Sequence, residues 1–164
     1  FSAYLSRYTF QPPTPDAEPY DPRRDPRHKG PDLARLAALR ERAAAHDAGE
    51  AVIADGDGRL LEGAFTSLLW WEGETLCAVP DDAPILPGIT RGLLLGLARD
   101  RGTPVAQRRR APEELADRET WLVSALHGIR VVTGWANGGP LAGGAPRAGG
   151  WQRLLDGLTA RQAV

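Results

Sequence analysis

The chain contains no methionine, one cysteine and one lysine. The single cysteine, Cys77, excludes an internal disulfide and suits a reducing cytosol, so a cytoplasmic location is expected. It lies in the apolar run Thr75-Leu76-Cys77-Ala78-Val79, where a buried and inert thiol is expected rather than a nucleophile. No apolar run approaches the ~20 residues needed to cross a bilayer. The net charge of −1 provides no attraction for nucleic acid or an anionic membrane, and neither is expected as a partner. An initiator methionine is normally removed before a small residue, yet the chain begins at Phe1. The expectation is a piece of a longer polypeptide, and no signal-peptide pattern stands at its start.

The scarcity of lysine is the most informative of these absences. Lys29 stands alone against nineteen arginines. With the Ala, Gly and Pro richness, that bias reads as a coding background that replaces dispensable lysines. Arginine stays protonated and cannot serve as an amine nucleophile, whereas a lysine amine can lose its proton and form a Schiff base. Lys29 is therefore a candidate for chemistry, the alternative being a chance survivor in a polar loop.

What is present describes one globular domain. Its 164 residues are 42% hydrophobic and 25% charged, enough to bury a real core. Residues Ala3 to Phe10 read as a short strand, and Gln11 to Gly30 as an irregular Pro/Asp/Arg-rich linker. Pro31 and Asp32 suit the first turn of a helix whose stripe is Leu33, Leu36, Leu39 and Ala43. A strand from Ala51 to Asp55 enters the tight turn Gly56-Asp57-Gly58, and Arg59 to Phe65 returns from it. Strands are expected at Ser67–Trp71, Leu76–Val79, Val105–Arg109, Thr120–Ser124 and Ile129–Val132. A helix should follow Thr90, a helical turn span Pro112 to Ala116, and an amphipathic helix close the chain from Trp151 to Ala163. The glycine-rich stretch Asn137 to Gly150 reads as a mobile loop. Trp70 and Trp71 should point to opposite faces of their strand, one toward the core and the other toward an interface or a covering helix. Strands and helices without strict alternation imply an α+β domain.

Three further features bear on chemistry. Glu62, in Leu60-Leu61-Glu62-Gly63, has apolar neighbours, and a buried carboxylate needs a partner; alternatively it occupies an exposed position on an alternating strand. In Leu86-Pro87-Gly88-Ile89-Thr90-Arg91, a glycine, an apolar residue and a threonine open a helix, presenting free N–H groups and a hydroxyl that suit a phosphate. An ordinary Thr-capped helix would look the same. The small-residue turn Ser124-Ala125-Leu126-His127-Gly128 contains a histidine that is either an acid–base group or a rim residue.

Taken in order, Lys29, Glu62-Gly63 thirty-three residues later, the Leu-Pro-Gly-Ile-Thr-Arg run and the Ser124–Gly128 turn resemble the class IV (fold type IV) pyridoxal-phosphate enzymes. That family includes branched-chain and D-amino-acid aminotransferases and 4-amino-4-deoxychorismate lyase. The resemblance implies a mixed-sheet pseudo-barrel with flanking helices, the lysine-bearing C-terminal domain of such an enzyme. It implies pyridoxal 5′-phosphate as cofactor, with Lys29 forming the Schiff base and shuttling a proton. It implies Glu62 at the pyridine nitrogen, Ile89 and Thr90 at the phosphate, and Ser67, Ser124 and Ala125 also against the cofactor. Ala125, Leu126 and His127 would face the substrate, a small amino or keto acid, and no metal is implied.

The chain departs from the family pattern at three positions and in length. Ala64-Phe65-Thr66-Ser67 stands where a Ser-Asn pair is common, with Ser67 at the Asn position. There is no tyrosine beyond Tyr20, and Ala125 replaces a hydroxyl or amide. Only about thirty residues precede Lys29, so the N-terminal domain of such an enzyme would be largely missing. The organisation implied is a linker over 1–30, a cofactor-binding core over 31–136, a loop over 137–150 and a terminal helix over 151–164. A homodimer is implied, with the missing N-terminal domain supplied in the same or another chain. The activity implied is transfer of an amino group. The alternatives are elimination of pyruvate by a lyase and a non-catalytic remnant used as an interaction domain.

Overall fold

The computed structural model describes residues 2–6, 23–136 and 140–162. Nine strands and three α-helices lie among these residues, in one mixed sheet that curls into a half-barrel. The strands are β1 (Ser2–Ser6), β2 (Glu50–Ala54), β3 (Leu60–Gly63), β4 (Ser67–Glu72), β5 (Thr75–Ala78), β6 (Val105–Gln107), β7 (Thr120–Ser124), β8 (Gly128–Val131) and β9 (Gly134–Ala136). The helices are α1 (Leu33–Ala44), α2 (Ile89–Asp100) and α3 (Ala148–Gln162), and Pro112–Leu115 forms a 3-10 turn. The α+β expectation holds.

The sheet runs β6-β5-β4-β3-β2-β1-β9, and β7 joins it through β4 and carries β8. Most neighbours are antiparallel, but β1 is parallel to both β2 and β9, and β5 is parallel to β6. The β2–β3 hairpin forms where local chemistry directs it. The Asp55 carboxylate accepts the N–H groups of Asp57 (3.0 Å) and Arg59 (2.8 Å), pinning the turn.

Strands β4, β5 and β7 are buried on both faces, and alternation divides their side chains between two cores. Leu68, Trp70, Cys77 and Leu122 pack on one side with Leu39 and Ala43 of α1. Leu69, Trp71, Leu76, Trp121 and Val123 pack on the other, beneath Leu94, Leu95 and Ala98 of α2 and Trp151 and Leu155 of α3. Both adjacent tryptophans are thus covered by this chain's own elements. Trp71 meets Trp121 edge-on at 5.7 Å and Trp151 at 5.5 Å between ring centroids. Cys77 is fully buried, and burial pushes its thiol pKa up, as an inert core residue requires.

Several boundaries differ from those read in the sequence. Leu33 is 46% exposed, so the buried part of the α1 stripe is Leu39 and Ala43, with Leu36 packed against them. Helix α3 begins at Ala148 because Glu119 receives the N–H groups of Arg147 and Ala148 there. The preceding glycine-rich segment is tied down where it is described: Leu141 accepts the Asp117 N–H at 3.0 Å. Strand β9 was not expected; three residues carry too little periodicity to announce a strand. Of the first expected strand, residues 7–10 lie outside the described residues.

Candidate active site

Glu62 lies in β3 and is 7% exposed. Its carboxylate receives the Arg23 guanidinium through Oε1 and the Leu86 N–H at 3.2 and 3.1 Å to its two oxygens. The same guanidinium donates to the Pro84 carbonyl at 2.7 Å. The exposed-strand alternative is therefore excluded, and the carboxylate has its buried cation. Sequence reading had not singled out Arg23. The available signal was the Arg-rich run before Lys29 set beside an apolar-flanked carboxylate in need of a partner.

The turn after Glu62 closes tightly. A Cβ on Gly63 would fall 2.0 Å from the Thr66 hydroxyl oxygen and 3.1 Å from Cγ of Glu50, so glycine is required. Glu50 is itself buried, and its Oε1 accepts the Ala51 N–H at 3.0 Å. Burial pushes the Glu50 carboxyl up from its ordinary pKa, with the Ala51 and Phe65 amides opposing that rise.

In register, Ser67 of β4 stands opposite Glu62. Its hydroxyl also abuts the start of α2: a Cβ on Gly88 would lie 2.4 Å from the Ser67 Oγ. Gly88 is the extended residue before α2, and no side chain caps the helix. The first bond of the helix runs from Gly92 N–H to Gly88 O at 3.0 Å. That leaves the N–H groups of Ile89, Thr90 and Arg91 without intrahelical acceptors, at the positive end of the helix dipole. Thr90 is buried and Ile89 is 76% exposed. A Thr-capped helix is not what forms: Thr90 is the second helical residue, and the N–H groups stay open to an anion.

Lys29 occupies an exposed position in the loop before α1. Among the described residues its amine has no hydrogen-bonding or ionic partner, Glu62 included. The loop beneath it is firmly held. Oδ2 of Asp32 accepts the N–H groups of Arg24 and Asp25, each at 2.9 Å. Burial works to raise the Asp32 pKa, but these two amides prevail and hold it below the ordinary carboxylate value. Arg27 donates to the carbonyls of Asp81, Asp82 and Ala83 at 3.2, 3.1 and 3.1 Å. Arg23 and Arg27 thus fasten the Lys29 loop to the segment that leads into α2.

The turn after β7 borders the same region, because Val123 pairs with Ser67. Ser124 is half-buried, and its Oγ accepts the His127 N–H at 3.2 Å. Ala125, Leu126 and His127 are exposed, Leu126 to 83%. The fold therefore gathers Glu62, Ser67, Ser124 and the Gly88–Thr90 helix start. It leaves Ala125, Leu126 and His127 on an open turn and the Lys29 amine unengaged. The result is a buried carboxylate beside an open helix start, with the Lys29 loop tied to the segment between them.

The family model described as amino-transferase class IV matches residues 2–135. The chain belongs to the class IV aminotransferase family. Members of this family are enzymes. A hypothetical aminotransferase from Mycobacterium tuberculosis, in its apo form, superposes with a TM-score of 0.77 at 26% identity, over 94% of this chain and 54% of that one. Its PLP-bound form matches at 25% identity with the same TM-score and coverage. A Legionella pneumophila protein provisionally described as a 4-amino-4-deoxychorismate lyase shares the fold, with a TM-score of 0.79 at 19% identity over 95% of this chain and 55% of that one. The chain spans about half the length of these solved structures. No curated protein matches it. No helix among the described residues is long and apolar enough to cross a membrane.

Proposed function

We propose that this chain forms the cofactor-binding part of a pyridoxal-phosphate-dependent class IV enzyme that transfers the amino group of a small carboxylated substrate. The observation that carries the reading is the pairing of a buried, cation-matched carboxylate, Glu62, with the uncapped start of α2 beside it. These two features fit opposite ends of the cofactor. A carboxylate complements a protonated ring nitrogen, and a helix N-terminus complements a phosphate. The absence of a Cβ at Gly88 lets the Ser67 side chain pack against the start of the helix.

Pyridoxal phosphate, when bound, supplies an electron-accepting ring that stabilises negative charge on the carbon bearing the substrate's amino group. The chain's own residues do the rest. Ile89 and Thr90 hold the phosphate through backbone N–H groups, with the Thr90 and Ser67 hydroxyls beside them. Glu62 would accept a hydrogen bond from the protonated ring nitrogen. Lys29 would supply the amine that holds the cofactor and would move a proton at the substrate's α-carbon. Ser124, Ala125, Leu126 and His127 border the substrate's carboxylate. Residues 31–136 form the cofactor-binding core, β1 (Ser2–Ser6) joins its sheet, and the remainder of residues 1–30 links to an N-terminal domain. A cytoplasmic homodimer is part of this reading, and mass in solution is its check.

The deciding experiment adds pyridoxal phosphate to the full-length protein and records its visible absorbance before and after borohydride reduction. The expected result is a yellow band, fixed by reduction onto Lys29 as judged by peptide mass and lost in Lys29→Ala. Attachment elsewhere, or a band unchanged in Lys29→Ala, overturns the role of Lys29. Amino transfer to a keto acid, against release of pyruvate, then separates the transferase from the lyase.

A further inference from the structure

Glu62 does not stand alone in the site, and the way it is held carries an inference that rests on the cofactor reading above. We propose that Arg23 is a positioning residue of this site, fixing the Glu62 carboxylate as a charged acceptor for the cofactor ring. Three observations support it. The Arg23 side chain is 2% exposed, and a cation so buried needs a matching carboxylate, which Glu62 provides. Its planar fork spans two elements, with Nη1 on Glu62 of β3 and Nη2 on the Pro84 carbonyl at 2.7 Å. The Leu86 N–H approaches both Glu62 oxygens from the far end of that segment, at 3.2 and 3.1 Å.

The chemistry requires such an arrangement. An isolated buried carboxylate tends to take up a proton, which turns an acceptor into a donor. A neutral acid in this place would meet a protonated ring nitrogen with the wrong partner. A matched cation keeps the carboxylate ionised before any ligand arrives. Bonds from Arg23 and Leu86 hold its orientation, so little reorganisation is left for binding. The same guanidinium stands six residues before Lys29, so one side chain sets both the acceptor and the approach of the nucleophile's loop. Lysine would not substitute: one ammonium on a flexible stem does not reproduce a fork shared between Glu62 and Pro84.

The test uses the full-length protein and two readouts. In the absence of cofactor, Arg23→Gln and Arg23→Lys are expected to speed exchange of the Leu86 amide at least tenfold, while the Leu122 amide in β7 stays protected. With pyridoxal phosphate, Arg23→Gln is expected to raise the dissociation constant at least tenfold. It should also shift the visible band in the same direction as Glu62→Gln, and the double variant should lose little more than either single one. Additive losses, or a band that does not move in Arg23→Gln, would mean that Arg23 does not act through Glu62. If Arg23→Gln fails to fold, Arg23→Lys keeps the charge but not the fork: Leu86 exchange and the dissociation constant should still rise while the band moves less, and no change in either of the first two overturns the proposal. If the unsubstituted protein binds no pyridoxal phosphate, the cofactor reading fails. Arg23 is then judged by exchange alone, and an unchanged Leu86 amide overturns its role.

Discussion

The hydroxyl of Ser67 stands in the space that a Cβ on Gly88 would need, 2.4 Å away. The Ser67 side chain thereby packs β4 closely against the open start of α2. Gly88→Ala should cost about 1–3 kcal/mol through overpacking and weaken pyridoxal-phosphate binding. Adding Ser67→Ala removes the obstructing oxygen and should recover most of the lost stability. Thermal unfolding of the two single variants and the double variant checks this; losses that simply add would refute the contact.

Glu119 organises the start of α3. It is buried, and its oxygens accept the N–H groups of Arg147 (3.1 and 3.3 Å) and Ala148 (3.0 Å) and the Trp121 indole N–H (3.0 Å). Glu119→Ala strands several donors at a helix end and should destabilise the fold by about 2–4 kcal/mol. Urea unfolding measures the loss. Glu119→Gln, which keeps an acceptor, should cost less.

Trp71, Trp121 and Trp151 form a triangle under α2 and α3, and the Arg147 guanidinium lies 4.6 Å over the Trp71 ring. Trp71→Ala should cost about 3–5 kcal/mol, and Trp71→Phe clearly less. Equal losses for the two would show that a smaller ring restores none of the contacts that the indole makes.

Stability toward acid should depend on Glu72. Hydrogen bonding from Arg110 comes first among the causes; burial opposes it, and the Trp70 indole assists. The net effect holds the Glu72 carboxyl at about 2, below its ordinary 4.5. A carboxyl depressed in the folded state stabilises it above the unfolded pKa and ceases to do so as pH falls. The urea midpoint should therefore decline between about pH 4.5 and pH 2, and Glu72→Gln should flatten that decline. An unchanged acid limb in Glu72→Gln would assign the decline to other carboxylates.

Much of the candidate site could be named from the sequence because its parts are local. The glycine and threonine that open α2 are adjacent in the chain, and backbone geometry makes the start of a helix an anion cradle wherever it falls. The Asp55–Gly58 turn carries its own hydrogen-bonding side chain. Lys29 drew notice through composition alone. Arg23 did not, because nothing local distinguishes it from its neighbours Arg24 and Arg27.

By itself, then, the sequence determined the order of the elements other than β9, the turns and the candidate chemistry at Lys29, Glu62 and Thr90, all properties of short stretches of chain. Only the tertiary structure decided which arginine meets Glu62 across thirty-nine residues, that both Trp70 and Trp71 are buried, and that β9 lies parallel to β1. The physical reason is burial. A charge in the interior must find its partner wherever folding brings one, and a strand as short as Gly134–Ala136 exists only through the neighbour that accepts its hydrogen bonds.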